Sequence, residues 1–269
     1  MSALRQEGTK CQNIWNGLNK CVRSKNRITT AVRIDLGTIE RTIECGDKRG
    51  EDNVCVVKET VCRKRPMNNR KEKYPAREEA EKLLKEAESC NPGPWGNHSR
   101  TAAHCAEAIA ARAGMNSEKA YVLGLLHDIG RKFGKRHLGH VSDGYSYMMS
   151  LGYDDAARIC LTHSFSDKDI SKYVGNFDTT EDETKLIVDR LNALEPDDYD
   201  CLIQLCDSIA GAEGVMDQID RMMDVKNRYG DYNQEKWDSN IRLREYFESK
   251  MGEDLYVVVD KENYKPVYP

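Results

Sequence analysis

The sequence predicts an all-α helical bundle preceded by a short extension that contains two or three β-strands. From Arg77 onward, apolar residues recur at intervals of three and four, which is the spacing of one face of a helix. Gly and Pro interrupt this pattern, for example at 91–94 and 113–114, where helices are expected to end. Between Arg27 and Cys62 the chain instead alternates β-branched and polar residues, as strands do.

The helical pattern places nine helices along the second part of the chain, over 77–89, 99–113, 117–129, 140–151, 154–163, 181–194, 199–212, 214–229 and 234–250. The strand candidates are 27–36, 38–45 and 53–62. Residues that follow Gly252 show no helical periodicity, so we expect an irregular tail there.

The charge of the chain is unevenly distributed. Its 41 Lys and Arg against 45 Asp and Glu give a net charge of −4, but residues 1–75 contain 17 basic and 9 acidic residues. The remaining residues contain 24 basic and 36 acidic ones. This change coincides with a polar, proline-bearing stretch, so we divide the chain into a basic extension of unknown role (1–75), a helical domain (76–252) and a C-terminal tail (253–269).

The basic extension has two interpretations. Lys and Arg neutralise phosphates, so it is the one part of the chain for which nucleic-acid contact is considered, but it carries no recognition motif and a weakly ordered extension is favoured. Its five cysteines (Cys11, Cys21, Cys45, Cys55 and Cys62) have no histidine nearby, which makes a zinc knot a weak alternative. Four cysteines in the apolar helical patterns are instead expected to be buried free thiols: Cys105, Cys160, Cys201 and Cys206.

A membrane span and a secretory signal are not expected. The longest apolar run, over 120–126, is far shorter than the roughly 20 residues that cross a bilayer. The N-terminal residues MSALRQEGTKCQNIWNG contain neither an apolar segment nor a small-residue cleavage site. A cytoplasmic location is therefore expected.

Five polar residues fall on the apolar faces of five different predicted helices: His98, His127, His140, His163 and Asp207. Burying each without a partner would cost roughly 1–3 kcal/mol, whereas a shared metal centre would satisfy all of them together. His104 falls on the opposite face of its helix from His98. His137 competes with His140 for the same role, and the apolar stripe favours His140.

Asp128 directly follows His127 at a predicted helix end, just before Gly130. Both side chains can there turn toward one ion or toward two neighbouring ions. Imidazole and carboxylate ligands without a thiolate suit a divalent ion of Fe, Mn, Zn, Co or Ni. The sequence therefore predicts one or two such ions, and no organic cofactor is predicted.

The runs Asn97-His98-Ser99-Arg100, LLHDIGRK at 125–132 and Leu205-Cys206-Asp207 resemble the HDIG-type HD-domain superfamily of metal-dependent phosphohydrolases. This resemblance covers residues 77–247 and implies a helical bundle in which His98, His127, Asp128 and Asp207 bind metal. Two further histidines between the His-Asp doublet and the last Asp are similar to the binuclear branch of the superfamily. That similarity adds His140 and His163 as ligands and implies that Asp128 bridges two ions.

The resemblance implies hydrolysis of phosphate ester or anhydride bonds by a metal-activated hydroxide. The expected substrate is a small phosphorylated molecule, a nucleotide or a dinucleoside polyphosphate. Asp128 is then catalytic, and Arg131 and Lys132 hold substrate phosphates, although their loop reads equally as a solvated basic helix cap. Trp95 is expected to border the pocket. Two alternatives are a di-iron oxygenase of the same fold, which uses the same ligands, and a nucleotide-sensing binding module.

Overall fold

The computed structural model describes residues 28–35, 38–46, 52–59, 74–166 and 168–266. The chain divides into two compact units, residues 1–68 and 69–269. The functional division of the chain, with a basic extension over 1–75 and a separate tail, stays a prediction. Of the cysteines in the zinc-knot hypothesis, Cys11, Cys21 and Cys62 lie outside the described residues.

The first unit contains three antiparallel strands in the order β1, β2, β3. Strand β1 covers Ile28–Asp35, β2 covers Thr38–Gly46 and β3 covers Asp52–Glu59. Ile28 pairs with Cys45 between β1 and β2, and Ile39 pairs with Glu59 between β2 and β3. The β-branched alternation therefore predicted the strands to within three residues at each end.

The second unit is a helical bundle, as predicted. Ten α-helices occupy its described residues: α1 (Arg77–Cys90), α2 (Trp95–Arg112), α3 (Ser117–Leu126), α4 (Gly139–Ser150), α5 (Asp154–Thr162), α6 (Glu181–Ala193), α7 (Asp198–Asp207), α8 (Gln218–Tyr229), α9 (Gln234–Met251) and α10 (Leu255–Val258). Short 3-10 helices cover Ile129–Phe133 and Ile170–Lys172. Among the described residues, no helix combines the length and the apolar character that a membrane span needs.

Local caps explain why several helix bounds match the prediction. Thr180 and Asp197 each form a capping box with the acidic residue three positions later, which satisfies the first N–H groups of α6 and α7. Gly230 and Gly252 end α8 and α9 with φ values of 85° and 70°, a conformation that favours glycine. These signals are local, so they can be read directly from the sequence.

Two predicted helix ends around the histidines are wrong. Helix α2 begins at Trp95 rather than 99, because the Pro94 carbonyl already accepts the His98 N–H at 3.1 Å. Helix α3 ends at Leu126 rather than 129, because the chain turns at His127 and Asp128 and then tightens into a 3-10 helix. As a result, His98 lies in a first helical turn, whereas His127 and Asp128 lie just beyond a last one.

The structure also corrects the chain around α7 and α10. A bridge between Ala210 and Val215 lies where residues 208–212 and 214–217 were predicted to be helical, so α7 ends at Asp207 and α8 begins at Gln218. The tail was expected to be irregular, but Leu255–Val258 form α10. Asp254 accepts the N–H groups of Tyr256 and Val257 and so starts this short helix.

Glycines allow the helices to approach closely around the histidines. A Cβ atom on Gly124 of α3 would lie 2.8 Å from the Ala103 Cα of α2, so the two backbones nearly touch. A Cβ on Gly130 would lie 2.0 Å from the backbone oxygen of His140, and one on Gly144 would lie 3.1 Å from the Cys160 Cβ. These contacts bring α2 against α3 and the 3-10 helix against α4.

The apolar core lies where these helices meet and includes Ile109, Leu125 and Phe247. Three of the four helical cysteines, Cys105, Cys160 and Cys206, are buried free thiols, as predicted, whereas Cys201 is only half-buried. Burial raises the pKa of the Cys105 and Cys160 thiols, so both stay protonated and pack as small apolar groups.

The close approach at Gly130 makes a direct prediction. Gly130→Ala is expected to lower the free energy of unfolding by about 3 kcal/mol or more, because the new methyl group would overlap the His140 backbone oxygen. Gly144→Ala, on the other side of the same crossing, should cost only about 1 kcal/mol, because the Cys160 side chain can shift slightly. Urea unfolding of both variants measures the difference, and equal midpoints would contradict the packing described here.

Candidate metal centre

Four buried histidines meet at one point of the helical unit, and each lies at the end of a helix. His98 is in the first turn of α2, and His127 directly follows α3. His140 is the second residue of α4, and His163 directly follows α5. Even the most exposed of them, His98, has only 8% of its surface accessible. Polar rings buried this deeply need partners on both ring nitrogens.

Each histidine satisfies its Nδ1 atom with a backbone carbonyl. The acceptor of His98 is Ala210 at 3.1 Å, and that of His127 is Gly124 at 2.7 Å. The Nδ1 of His140 donates to the backbone carbonyl of His137, and the Nδ1 of His163 donates to the Cys160 carbonyl at 3.0 Å. A carbonyl only accepts hydrogen bonds, so Nδ1 carries the proton in every ring. The Nε2 atom of each neutral imidazole is then an unprotonated lone pair.

These Nε2 lone pairs face each other in two pairs. The Nε2 atoms of His98 and His127 are 3.2 Å apart, and those of His140 and His163 are also 3.2 Å apart. Two lone pairs at this distance repel each other unless a proton or a metal ion lies between or beside them. Since both ring protons are already committed to carbonyls, the donor set fits a metal cation at each pair.

The Asp128 carboxylate lies between the two histidine pairs. Its Oδ1 is 3.1 Å from the Nε2 of His140 and 3.6 Å from that of His163. Its Oδ2 is 4.0 Å from the Nε2 of His98 and 3.9 Å from that of His127. Each oxygen therefore faces a different pair, which is the arrangement that a bridging carboxylate requires.

Asp207, the last residue of α7, completes the first pair. Its Oδ1 lies 3.0 Å from the His98 Nε2 and 3.9 Å from the His127 Nε2. The Asp207 side chain is 32% exposed, so it forms the open side of the cluster. The structure thus brings together all six residues that the sequence singled out as ligands.

Burial and neighbouring charges set the protonation of the cluster. Burial lowers the pKa of His127, and it lowers the pKa of His163 to about 3. Burial alone would raise the pKa of Asp128, but Arg131 and the adjacent imidazoles outweigh it and hold this pKa well below its usual range. At neutral pH His127 and His163 are therefore neutral and Asp128 is anionic, the forms that bind metal.

Two groups of buried ligand atoms could each hold an ion. One consists of His98, His127 and Asp128, and the other of Asp128, His140 and His163. Within each group the ligand atoms lie within 4.8 Å of one another. Asp128 belongs to both groups, so the two sites share one carboxylate.

The cluster opens into a cleft of about 430 Å³. Its floor includes His98, Asp128, His140, His163 and Asp207, and its rim includes Trp95, as expected from the sequence. Ordinary ligand pockets have volumes of about 300–1,000 Å³, so the cleft can hold a small organic molecule beside the histidines.

The basic residues that follow the doublet do not all face this cleft. Arg131 lines it, and its Nε donates to Asp128 Oδ2 at 2.5 Å. Lys132 points the other way, where its Nζ donates to the Tyr147 hydroxyl at 3.0 Å. In a 3-10 helix, consecutive side chains are about 120° apart, so only one of the two can face the metal cluster. The Lys132 ammonium is therefore directed away from the cleft in this structure, and its role in holding substrate phosphates stays a prediction.

Two further histidines lie away from the cluster. The His137 ring contacts the edge of Tyr229 with ring centroids 5.6 Å apart, and it contributes its carbonyl, not its imidazole, to the site. His104 stacks on Tyr264 at 3.7 Å between ring centroids and bonds the Val259 carbonyl. These positions agree with the preference for His140 over His137 and with the placement of His104 on the opposite helix face.

Sequence reasoning missed the outer wall of the cleft. Helices α8 and α9 supply most of this wall, including three cationic side chains: Arg221, Arg228 and Lys236. The available signal was the seven-residue spacing of Arg221 and Arg228, which places both on one face of α8. No motif distinguishes these residues from an ordinary solvated helix face, so their role depends on the fold.

Comparisons with known proteins were made for the whole chain. The family model described as "HD domain" matches residues 95–212, the segment that contains all six clustered ligands. No curated protein matches the chain significantly. One similar solved structure is the HD domain of the L. monocytogenes phosphodiesterase PgpH, with 18% identity, a TM-score of 0.37, and coverage of 66% of this chain and 94% of that one.

The matched segment begins with α2, ends just after α7 and includes the His-Asp doublet between α3 and the 3-10 helix. The family model therefore covers helices α2 to α7, the His-Asp doublet and the late Asp. The segment 95–212 of this chain is therefore similar to the HD-domain family.

Proposed function

We propose that the chain is a phosphohydrolase with a two-ion centre bridged by Asp128. The observation that carries this proposal is the placement of the two Asp128 oxygens, each of which faces a separate pair of histidine Nε2 atoms. A carboxylate that served only as a hydrogen-bond acceptor would need no second pair of unprotonated rings beside it.

The proposed ligands form two sets. His98, His127, Asp128 and Asp207 would hold one divalent ion, and Asp128, His140 and His163 would hold the other. Nitrogen and oxygen ligands without thiolate suit Fe, Mn, Zn, Co or Ni. The second set offers only three side chains, so an ion held there would have more positions open for water or substrate.

Bound divalent metal supplies the chemistry of hydrolysis, because it lowers the pKa of bound water toward 7 and neutralises charge on phosphoryl oxygens. The residues of the chain prepare the site for it. Arg131 fixes Asp128 through its Nε and itself lines the cleft. A guanidinium in this position can donate to phosphate oxygens.

The walls of the cleft favour a nucleotide or dinucleoside polyphosphate as substrate. Cationic side chains line the cleft together with apolar and aromatic ones, which include Met222, Val225, Tyr229 and Tyr232. Phosphates and a base need these two kinds of surface, respectively. Trp95 also lines the cleft, although its indole N–H is bound to the Asn91 carbonyl at 2.8 Å.

Metal content tests the ligand sets. Asp128→Ala is expected to abolish metal binding and turnover, because Asp128 belongs to both sets, whereas His127→Ala and His140→Ala should each leave one of two ions, because one histidine pair is lost while the other remains. Metal analysis of protein purified without chelator measures this. His104→Ala is the control, since that ring contacts only the C-terminal segment among the described residues. Equal metal loss in all four variants would contradict the assignment.

The two adjacent cations provide a second test. Arg131→Ala is expected to lower kcat/KM by about 100-fold or more, because it removes both the Asp128 contact and a charged phosphate donor. Lys132→Ala should change kcat/KM less than about three-fold, since its ammonium is held on Tyr147. Steady-state kinetics of the two variants measure both changes. A larger loss of kcat/KM in Lys132→Ala than in Arg131→Ala would contradict the placement of Arg131 in the cleft and of Lys132 outside it.

A screen of the wild-type protein tests the reaction class. The metal-loaded protein is expected to release phosphate or nucleoside monophosphate from nucleotides or dinucleoside polyphosphates, and the Asp128→Ala variant should not. Consumption of oxygen with an organic substrate, with iron at both positions, would instead indicate an oxygenase. Nucleotide binding without turnover by the fully metal-loaded protein would indicate a sensing module. Either of these two results would refute the proposed hydrolysis.

A further inference from the structure

One face of α8 lines the cleft opposite the metal centre. Its lining residues recur every three or four positions and comprise Arg221, Met222, Asp224, Val225, Arg228 and Tyr229. The face therefore carries two arginines whose Cα atoms are about 10 Å apart along the helix, given a rise of about 1.5 Å per residue. Asp224 lies between them, and its Oδ2 is 3.3 Å from Arg221 Nη1 and 3.0 Å from Arg228 Nη2.

Arg221 is coupled to the metal centre through a single backbone carbonyl. Its Nε donates to the Ala210 oxygen at 2.9 Å, and the same oxygen accepts the His98 Nδ1–H at 3.1 Å. The Arg221 side chain is only 16% exposed, so its guanidinium is held close to His98 rather than extended into solvent. The buried position of the Arg221 side chain therefore depends on its bond to the Ala210 carbonyl as well as on its longer contact with Asp224.

The Arg221 guanidinium has N–H groups that donate no close hydrogen bond to the described residues. Its Nη1 contact with Asp224 is long, and Nη2 meets no acceptor within the described part of the chain. Arg131 shows the same pattern on the other side of Asp128, where only Nε is bonded among described residues. Two partly buried arginines that line one cleft therefore have terminal N–H donors without a close acceptor among the described residues, and each is anchored at a different point.

Charge indicates how many phosphates these donors can accept. Four cationic side chains (Arg131, Arg221, Arg228 and Lys236) and three anionic ones (Asp128, Asp207 and Asp224) line the cleft. Each divalent ion that binds adds two positive charges to this balance. A single phosphate monoester, with at most two negative charges, would leave the cleft with a large positive excess, whereas two or more linked phosphates would come closer to neutralising it.

We propose that Arg221 is a specificity-determining residue that binds a second phosphate, linked to the one that is cleaved. This inference rests on the proposed function and narrows it: the substrate is a phosphoric anhydride, such as a nucleoside diphosphate or a longer polyphosphate, and not a monoester. Arg131 serves the phosphate next to Asp128, and Arg221 serves the neighbouring phosphate beside His98.

Binding of pyrophosphate and orthophosphate to the metal-loaded protein tests this assignment without turnover. Arg221→Gln is expected to weaken pyrophosphate binding by about 10- to 100-fold, the effect of one or two charged hydrogen bonds, and orthophosphate binding by less than two-fold. Calorimetric titration measures both constants, and metal content is determined on the same samples. Lys185→Gln is the matched control, since it removes one positive charge from an exposed ion pair with Asp189 on α6.

Asp224→Asn keeps the test decisive if Arg221→Gln loses metal through the shared Ala210 carbonyl. Removing the carboxylate that competes for Arg221 Nη1 should tighten pyrophosphate binding several-fold and leave orthophosphate binding unchanged. Equal weakening of both anions in Arg221→Gln with full metal content, or unchanged pyrophosphate affinity in Asp224→Asn, would overturn the proposal. Failure of the proposed hydrolysis is a separate result, because it concerns turnover by the wild-type protein.

Discussion

The position of the Asp128 carboxylate is the constraint on which the rest of the site depends. It lies between two pairs of imidazole lone pairs because α3 ends at Leu126 and lets His127 and Asp128 turn toward the cluster together. A helix that continued to 129 would separate these two side chains by about 100°. Gly130 then allows the chain to pass against the His140 backbone, which places the second pair within reach of the same carboxylate.

The helix ends also supply the backbone carbonyls that orient the clustered histidines. The last carbonyls of a helix lack an N–H partner one turn later, so they are available to other donors. His127 uses the Gly124 carbonyl of α3, and His163 uses the Cys160 carbonyl of α5, both three residues back. The turn that ends each helix therefore also fixes the tautomer and orientation of the ring that follows it.

The sequence predicted the parts of the structure that local patterns encode. Periodicity located the helices, and the coincidence of polar residues on apolar faces pointed to His98, His140 and His163, which the fold brings into one cluster. Features that depend on backbone geometry were not predicted: the 3-10 helix directs Lys132 to Tyr147, and the Ala210–Val215 bridge shortens α7. The wall made by α8 and α9 was missed because nothing local distinguishes a cleft-lining face from a solvated one.

The uneven charge of the chain acquires a physical meaning once the cleft is located. The residues after 75 carry 24 basic and 36 acidic side chains, so at long range this part of the chain repels an anion. Screening limits that repulsion to about 8 Å at physiological salt, whereas Arg131 and Arg221 act at contact distance in a partly desolvated site. Under the proposed function, a phosphorylated substrate would be selected by the few cations that the fold gathers beside the clustered residues, and the surrounding acidic surface would disfavour its binding elsewhere.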